Sequence, residues 1–232
     1  MVDYMETSDI TEFISSKLAE NANPEDAIHM QAYMKTEMPF YGVRSPAINE
    51  IVSDAKKLFP ITTQNEYNDM ITKIWSLSHR EEKHISIKLA RKWKEFITLD
   101  ALPLYEKMIR EGQWWDYIDS ISQNLVGKLL ENHRTEMNSI LDKWIEDDDL
   151  WIRRSAILAH NRHKQNTDQE KLLDYCLQCA HEKEFFIRKA IGWALREYSK
   201  TKPEVVSNFI EEHNELLSNL SKREGMKHIN RV

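Results

Sequence analysis

Apolar residues along this chain return at helical spacing, and the helices they predict have sharply different faces. Between residues 185 and 200, Ile187, Ala190, Ile191, Ala194, Leu195 and Tyr198 share one side. Lys189, Trp193, Arg196 and Lys200 share the other, at i, i+4, i+7 and i+11. A second such helix starts near residue 114, where Trp114, Tyr117, Ile118, Ile121 and Leu125 form the apolar side. Asp119 falls roughly opposite, with Trp115 one turn earlier. Only 5 Gly and 6 Pro in 232 residues argue against a turn-rich β architecture, so an all-α fold is expected. Breaks are expected at Asn23-Pro24, at residues 39–46, and at Phe59-Pro60, Leu102-Pro103 and Lys202-Pro203. None of these reads as a flexible linker, and residues 1–232 are expected to form a single domain.

Sliding the sequence along itself by 35 residues reveals a repeat. The run from Asp147 to Ala156 overlays the run from Glu182 to Ile191, with an acidic entry, an apolar or aromatic pair and then an amphipathic helix. The same shift carries His84 onto Asp119, Asp119 onto Arg154, and Arg154 onto Lys189. Helix-hairpin units of this kind bury their faces by stacking. The expectation is a solenoid with a concave surface on which Asp119, Arg154 and Lys189 stand in a row.

Charge refines that picture. The formal net charge of −6 is uneven: residues 150–232 hold 15 Lys and Arg against 11 Asp and Glu, a surplus of +4, and residues 1–149 carry −10. A basic end is compatible with a polyanionic partner, since binding follows the local field. Cations around the Trp193 ring suit a nucleotide strand; equally, Trp193 packs on a neighbouring helix and the cations keep that face soluble. Cys176 and Cys179 form a lone C-x-x-C without a second ligand pair, read as two buried thiols. His160 and His163 border a polar stretch and are read as loop-flanking, so no metal or other cofactor is expected. The first six residues are acidic and no apolar run of about 18 exists, so neither a signal peptide nor a membrane anchor is expected. A cytoplasmic protein is expected.

A carboxylate among cations weakens polyanion binding, so Asp119 needs a reason. Breaking an N-glycosidic bond passes through an oxocarbenium-like sugar, which a nearby carboxylate stabilises while it orients the attacking water. At about 4 Å and an effective dielectric of about 20 the attraction is about 4 kcal/mol, a rate factor on the order of 10³. That is too little to expel an ordinary purine without a general acid. It suffices for a base already cationic through ring alkylation, which departs neutral. The plainer alternative is that Asp119 is a solvated acid or a partner for Arg154.

The segments Trp114-Trp115-Asp116-Tyr117-Ile118-Asp119-Ser120-Ile121, Trp151-Ile152-Arg153-Arg154-Ser155-Ala156, Phe185-Phe186-Ile187-Arg188-Lys189-Ala190-Ile191-Gly192-Trp193 and Leu195-Arg196-Glu197-Tyr198 resemble the bacterial AlkD family of alkylpurine DNA glycosylases. The resemblance extends upstream through Tyr33-Met34-Lys35 and Gly42-Val43-Arg44-Ser45-Pro46. It implies HEAT-like repeats and monofunctional excision of N3- and N7-alkylpurines such as 3-methyladenine and 7-methylguanine from double-stranded DNA, leaving an abasic site. By resemblance Asp119 is the catalytic carboxylate, Trp115 and Trp193 contact the deoxyribose, Arg154 holds the backbone nearby, and Tyr33 and Arg196 line the groove. Lys189 and Lys200 join the DNA-binding set through the basic stripe, and Arg153 is read as a further phosphate contact or a solvent-facing residue. The family acts on the lesion within the duplex, and the sequence offers no pocket for an isolated base. A monomer is the simplest form for such an action.

Two other classes remain open at this point. A catalytically silent HEAT-repeat protein would bind DNA structures through the same groove, and its simplest mark would be loss of the acid at 119, which this chain keeps. A peptide-binding solenoid gives no account of Asp119 facing Arg154.

Overall fold

The computed structural model describes residues 9–229, so the acidic start at residues 1–6 lies outside the described residues. The described residues contain helices and no strand. Contacts divide the chain into two compact units with the boundary after Leu104.

The first unit holds α1 (Ile10–Glu20), α2 (Pro24–Met34), α3 (Ser45–Leu58), α4 (Gln64–Trp75) and α5 (Arg80–Lys92). Ile14, Leu18, Ala55, Ile71, Ile85 and Leu89 are fully buried between them. The Gly42-Val43-Arg44-Ser45-Pro46 segment is held by a buried carboxylate. Glu81 accepts the backbone N–H groups of Tyr41 (3.2 Å), Gly42 (2.8 Å) and Val43 (3.2 Å). Gly42 itself has φ 82°, and a Cβ there would stand 2.0 Å from the Asn23 carbonyl oxygen, so only glycine fits. Tyr33, in the last turn of α2, is 75 % exposed.

The chain continues through α6 (Leu102–Gly112), with Pro103 in its first turn. The second unit then contains α7 (Trp115–Ile121), a π turn (Ser122–Val126), α8 (Gly127–Asn132), α9 (Arg134–Trp144), α10 (Leu150–Leu158), α11 (Gln169–Gln178), α12 (Phe185–Ser199), α13 (Pro203–Glu212) and α14 (Asn219–Gly225). Alternate helices pack on one another in the order α7, α10, α12, α14. The 35-residue shift superimposes the first three of these. It also reproduces a specific bond: Arg153 Nη1 donates to the Asp147 carbonyl (2.6 Å), and Arg188 Nε donates to the Glu182 carbonyl (2.9 Å). In both repeats an arginine reaches back six residues to fix the turn that enters its helix.

The apolar side expected for α12 is buried in full, from Ile187 to Tyr198. Gly192 lets α14 approach closely. A Cβ at that position would meet the Glu224 Cβ at 2.5 Å and the Ser221 carbonyl oxygen at 2.9 Å, and the latter is backbone that cannot swing aside. Gly192→Ala is therefore expected to destabilise the protein by about 1–3 kcal/mol, as overpacking generally does. Urea titration would read this as a lower midpoint at unchanged slope, and an unmoved midpoint would refute the close packing.

Candidate active site

Asp119 sits in the last turn of α7 with its side chain 16 % exposed, against an Arg154 side chain that is 4 % exposed. Arg154 reaches it from α10 with two contacts, Nη2 at 2.7 Å and Nε at 2.9 Å, and both fall on Oδ1. Oδ2 takes no hydrogen bond from the described residues. Arg154 Nη1 donates to the Phe186 carbonyl at the start of α12, so one guanidinium joins three successive repeats. Burial raises the Asp119 pKa above its ordinary value, and the Arg154 charge and hydrogen bonds offset only part of that rise.

The helix widens directly after this residue. Ser122 Oγ, Gln123 Nε2 and Asn124 Nδ2 donate to the carbonyls of Ile118 (2.6 Å), Asp119 (3.0 Å) and Ser120 (2.7 Å). Each side chain bonds four residues back, where it competes with the amide that would otherwise close an α turn. Residues 122–126 accordingly form a π turn, a local feature that often accompanies functional residues. Ser122 Oγ also accepts from or donates to Ser155 Oγ at 2.9 Å, tying the widened turn to α10.

Aromatic rings support the pair. Phe186 lies 4.9 Å from Trp151 and 5.5 Å from Trp114 between ring centroids, and the Arg154 guanidinium stands 5.9 Å from the Phe186 centroid. Trp114 is half-buried and precedes α7 rather than belonging to it. Trp115, the first residue of α7, is half-exposed one turn before Asp119. Trp193 is also half-exposed, with Nε1 donating to Glu197 Oε1 at 3.3 Å.

A family model described as DNA alkylation repair enzyme matches residues 14–229. The chain belongs to this family. Among solved structures, a predicted DNA alkylation repair enzyme from Enterococcus faecalis is similar with a TM-score of 0.84 and 29 % identity, over 91 % of this chain and 98 % of that one. The protein smu.31 from Streptococcus mutans UA159 shares the fold at a TM-score of 0.61 and 13 % identity, over 94 % and 98 % of the two chains. Comparison with curated proteins gave no match.

This member of the DNA alkylation repair enzymes arranges the cations of its basic stripe less simply than the sequence suggests. Lys189 and Arg196 both pair with Glu224 of α14, at 3.2 and 3.1 Å. Lys227 adds a third contact at 2.6 Å. Burial would raise Glu224, but Lys227 and Lys189 hold it below the usual carboxylate range. Lys200 pairs with Glu197 at 2.6 Å. Arg153 stands apart from the others. Its guanidinium is occupied by Glu182, at 2.9 and 2.8 Å, and by the Asp147 and Asp148 carbonyls. Tyr33 belongs to the first unit.

Two features were not legible in the sequence. His160 and His163 do leave a helix for a turn, but the turn folds inward and both rings are buried. His163 Nε2 lies 2.8 Å from the Gly127 carbonyl, and burial pushes the His160 pKa down to about 3. The second feature is a cavity of about 740 Å³ lined in part by Gln123, Asn161, Arg162, Lys164, Trp193 and Lys200. Cys176 and Cys179 are buried free thiols, both with pKa values raised by burial. No group of three His, Cys, Asp or Glu side chains with metal-ligand geometry occurs among the described residues, and no helix there is long and apolar enough to cross a membrane.

Proposed function

We infer that this protein is a monofunctional DNA glycosylase that hydrolyses the N-glycosidic bond of cationic N3- and N7-alkylpurines in duplex DNA. The observation that carries this reading is the asymmetric clamp on Asp119: Arg154 holds Oδ1 twice, and Oδ2 is left unbonded among the described residues. A carboxylate fixed by one oxygen presents the other to a developing positive charge without reorganising, which is how preorganised electrostatics accelerate such steps. Water attacks C1′ and the glycosidic bond breaks. Its electron pair neutralises the alkylated ring, and the water proton is released as the sugar gains a hydroxyl.

In this mechanism Trp115 and Trp193 contact the deoxyribose, and Arg154 is a positioning residue, since the bonds it makes hold the Asp119 carboxylate and the Phe186 carbonyl. Lys189, Arg196 and Lys200 meet the duplex along a groove of HEAT-like repeats and Tyr33 contacts DNA from the first unit, the protein acting as one domain and one monomer on a lesion that stays in the stack. The match of one family model to residues 14–229 supports treating both units together. No metal or cofactor is required by the chemistry. The test is release of 7-methylguanine from a duplex oligonucleotide by purified protein. Tight duplex binding with no release across several cationic adducts would favour a DNA-binding protein without catalysis.

Lys200 gives a second check, because Glu197 holds it in a contact that a phosphate would have to replace. Lys200→Gln is expected to weaken duplex binding and flatten its salt dependence by about 0.9 in the log–log slope, the share of one lost phosphate contact. An unchanged slope would remove Lys200 from the interface.

A further inference from the structure

The 35-residue repeat extends further back than the segments that revealed it. Helices α3, α5, α7, α10 and α12 begin at Ser45, Arg80, Trp115, Leu150 and Phe185, each 35 residues after the one before. The positions that hold Lys189, Trp193 and Arg196 on α12 therefore correspond to His84, Lys88 and Arg91 on α5, and to Asn49, Ser53 and Lys56 on α3. Spaced at i, i+4 and i+7, each trio shares one helix face. All six residues on α3 and α5 are exposed or half-exposed.

Helix α3 packs on α5, and polar side chains tie these faces together. Lys88 Nζ donates to Asn49 Oδ1 at 3.0 Å and Lys56 Nζ to the Lys92 carbonyl oxygen at 2.8 Å, both at the surface. Both acceptors are neutral, and neither lysine forms an ion pair among the described residues. Helix α12 is the reverse case, since its Lys189, Arg196 and Lys200 are each matched by a carboxylate. The unmatched cations thus lie in the acidic part of the chain, where residues 1–149 carry −10. Burial lowers the Lys88 pKa, and the charges of Arg91 and Lys92 push the same way. An ammonium partly out of water with only a neutral partner is costly to keep charged, and an anion in front of it removes that cost. Asn49 turns its oxygen to Lys88, so its amide nitrogen is left to donate to the same anion.

We propose that Asn49, Lys56, Lys88 and Arg91 form a phosphate-binding stripe that holds the backbone of duplex DNA away from the lesion and reads no base. The assignment rests on DNA being the partner. The stripe belongs to the first unit and Asp119 to the second, so it serves affinity and not the chemical step.

Anisotropy of an end-labelled duplex titrated with the full chain at several salt concentrations tests this, with undamaged DNA and with DNA containing 7-methylguanine. Lys88→Gln is expected to flatten the log–log salt dependence by about 0.9, the share of one phosphate contact, and Lys56→Gln/Lys88→Gln by about 1.8. Lys88→Arg keeps the charge and should keep the slope. Both duplexes should lose affinity by the same factor, and single-turnover release at saturating protein should stay at the parent rate. Lys57→Gln controls for net charge, because that amine pairs with Asp54 at 3.6 Å, and should leave the slope alone. Lys56→Gln alone carries the test if Lys88→Gln does not fold. An unchanged slope in the lysine variants, an equal loss in Lys57→Gln, or slower release at saturation would overturn the proposal. Release by the parent with no change of slope in the variants sinks only the stripe. Duplex binding without release, with the slopes changing as expected, sinks only the glycosylase.

Discussion

Asp119→Asn is expected to slow 7-methylguanine release by about 10³-fold while leaving duplex affinity nearly unchanged. The size follows from removing one negative charge at about 4 Å from the oxocarbenium-like sugar in a partly dry site, worth about 4 kcal/mol at an effective dielectric of about 20. Asparagine keeps an oxygen for the Arg154 contacts, so the clamp geometry survives and the loss reports charge rather than shape. The pH profile supplies an independent check. Burial raises the Asp119 pKa, so the reactive carboxylate is lost as pH falls through a value above the ordinary one for aspartate. The linked stability runs the opposite way: a raised folded-state pKa favours folding below the unfolded value, and that contribution disappears as pH rises through the folded value. Release should therefore fall on the acid side before the fold does. A rate that stays level through that window, or an Asn variant within tenfold of the parent, would remove Asp119 from catalysis.

Arg154→Met should be the most destabilising single change at the site. It leaves the Asp119 carboxylate largely buried with no cation beside it, and leaves the Phe186 carbonyl without this donor. Breaking one side of a buried ion pair typically costs about 3–5 kcal/mol. For a chain of this length that corresponds to a fall in Tm of about 10 °C. The partner matters as much as the loss. Asp119→Leu combined with Arg154→Met removes both charges and should recover most of the lost stability while abolishing release. Thermal unfolding of the two variants decides the matter, and a double variant no more stable than the single one would show that Arg154 supports the fold through Phe186 rather than through Asp119.

Periodicity read the faces of this protein well. The six apolar positions of α12 are all buried, and the repeat found by sliding the sequence recurs as the Arg153 and Arg188 bonds to carbonyls six residues back. What a period does not report is what stands opposite each face. Lys189, Arg196 and Lys200 form a stripe as expected, but Glu224 arrives from α14 and Glu197 from within the same helix to pair with them. Arg154 occupies the position expected for a groove residue, yet it is buried because its neighbour in the preceding repeat is an acid. Arg153, expected to face phosphate or solvent, is instead committed to a turn. The buried histidines and the cavity depend on a connection folding inward, for which a polar sequence carries no signal. The π turn did leave a trace, the consecutive Ser122-Gln123-Asn124 side chains that bond backwards, visible only once that competition is looked for.

That turn sets the rotational phase of the site. A π turn holds one residue more than the α turn it replaces, and one residue is worth about 100° about a helix axis. The segment carrying Trp115 and Asp119 is thus offset by roughly that angle from the continuation through α8. Loss of a single residue between 122 and 126 would return the chain to an unbroken α-helix and swing the carboxylate around the barrel of its own helix. Where Asp119 points is accordingly a matter of counting residues downstream as much as of the aspartate itself, and length in this segment is as constrained as identity.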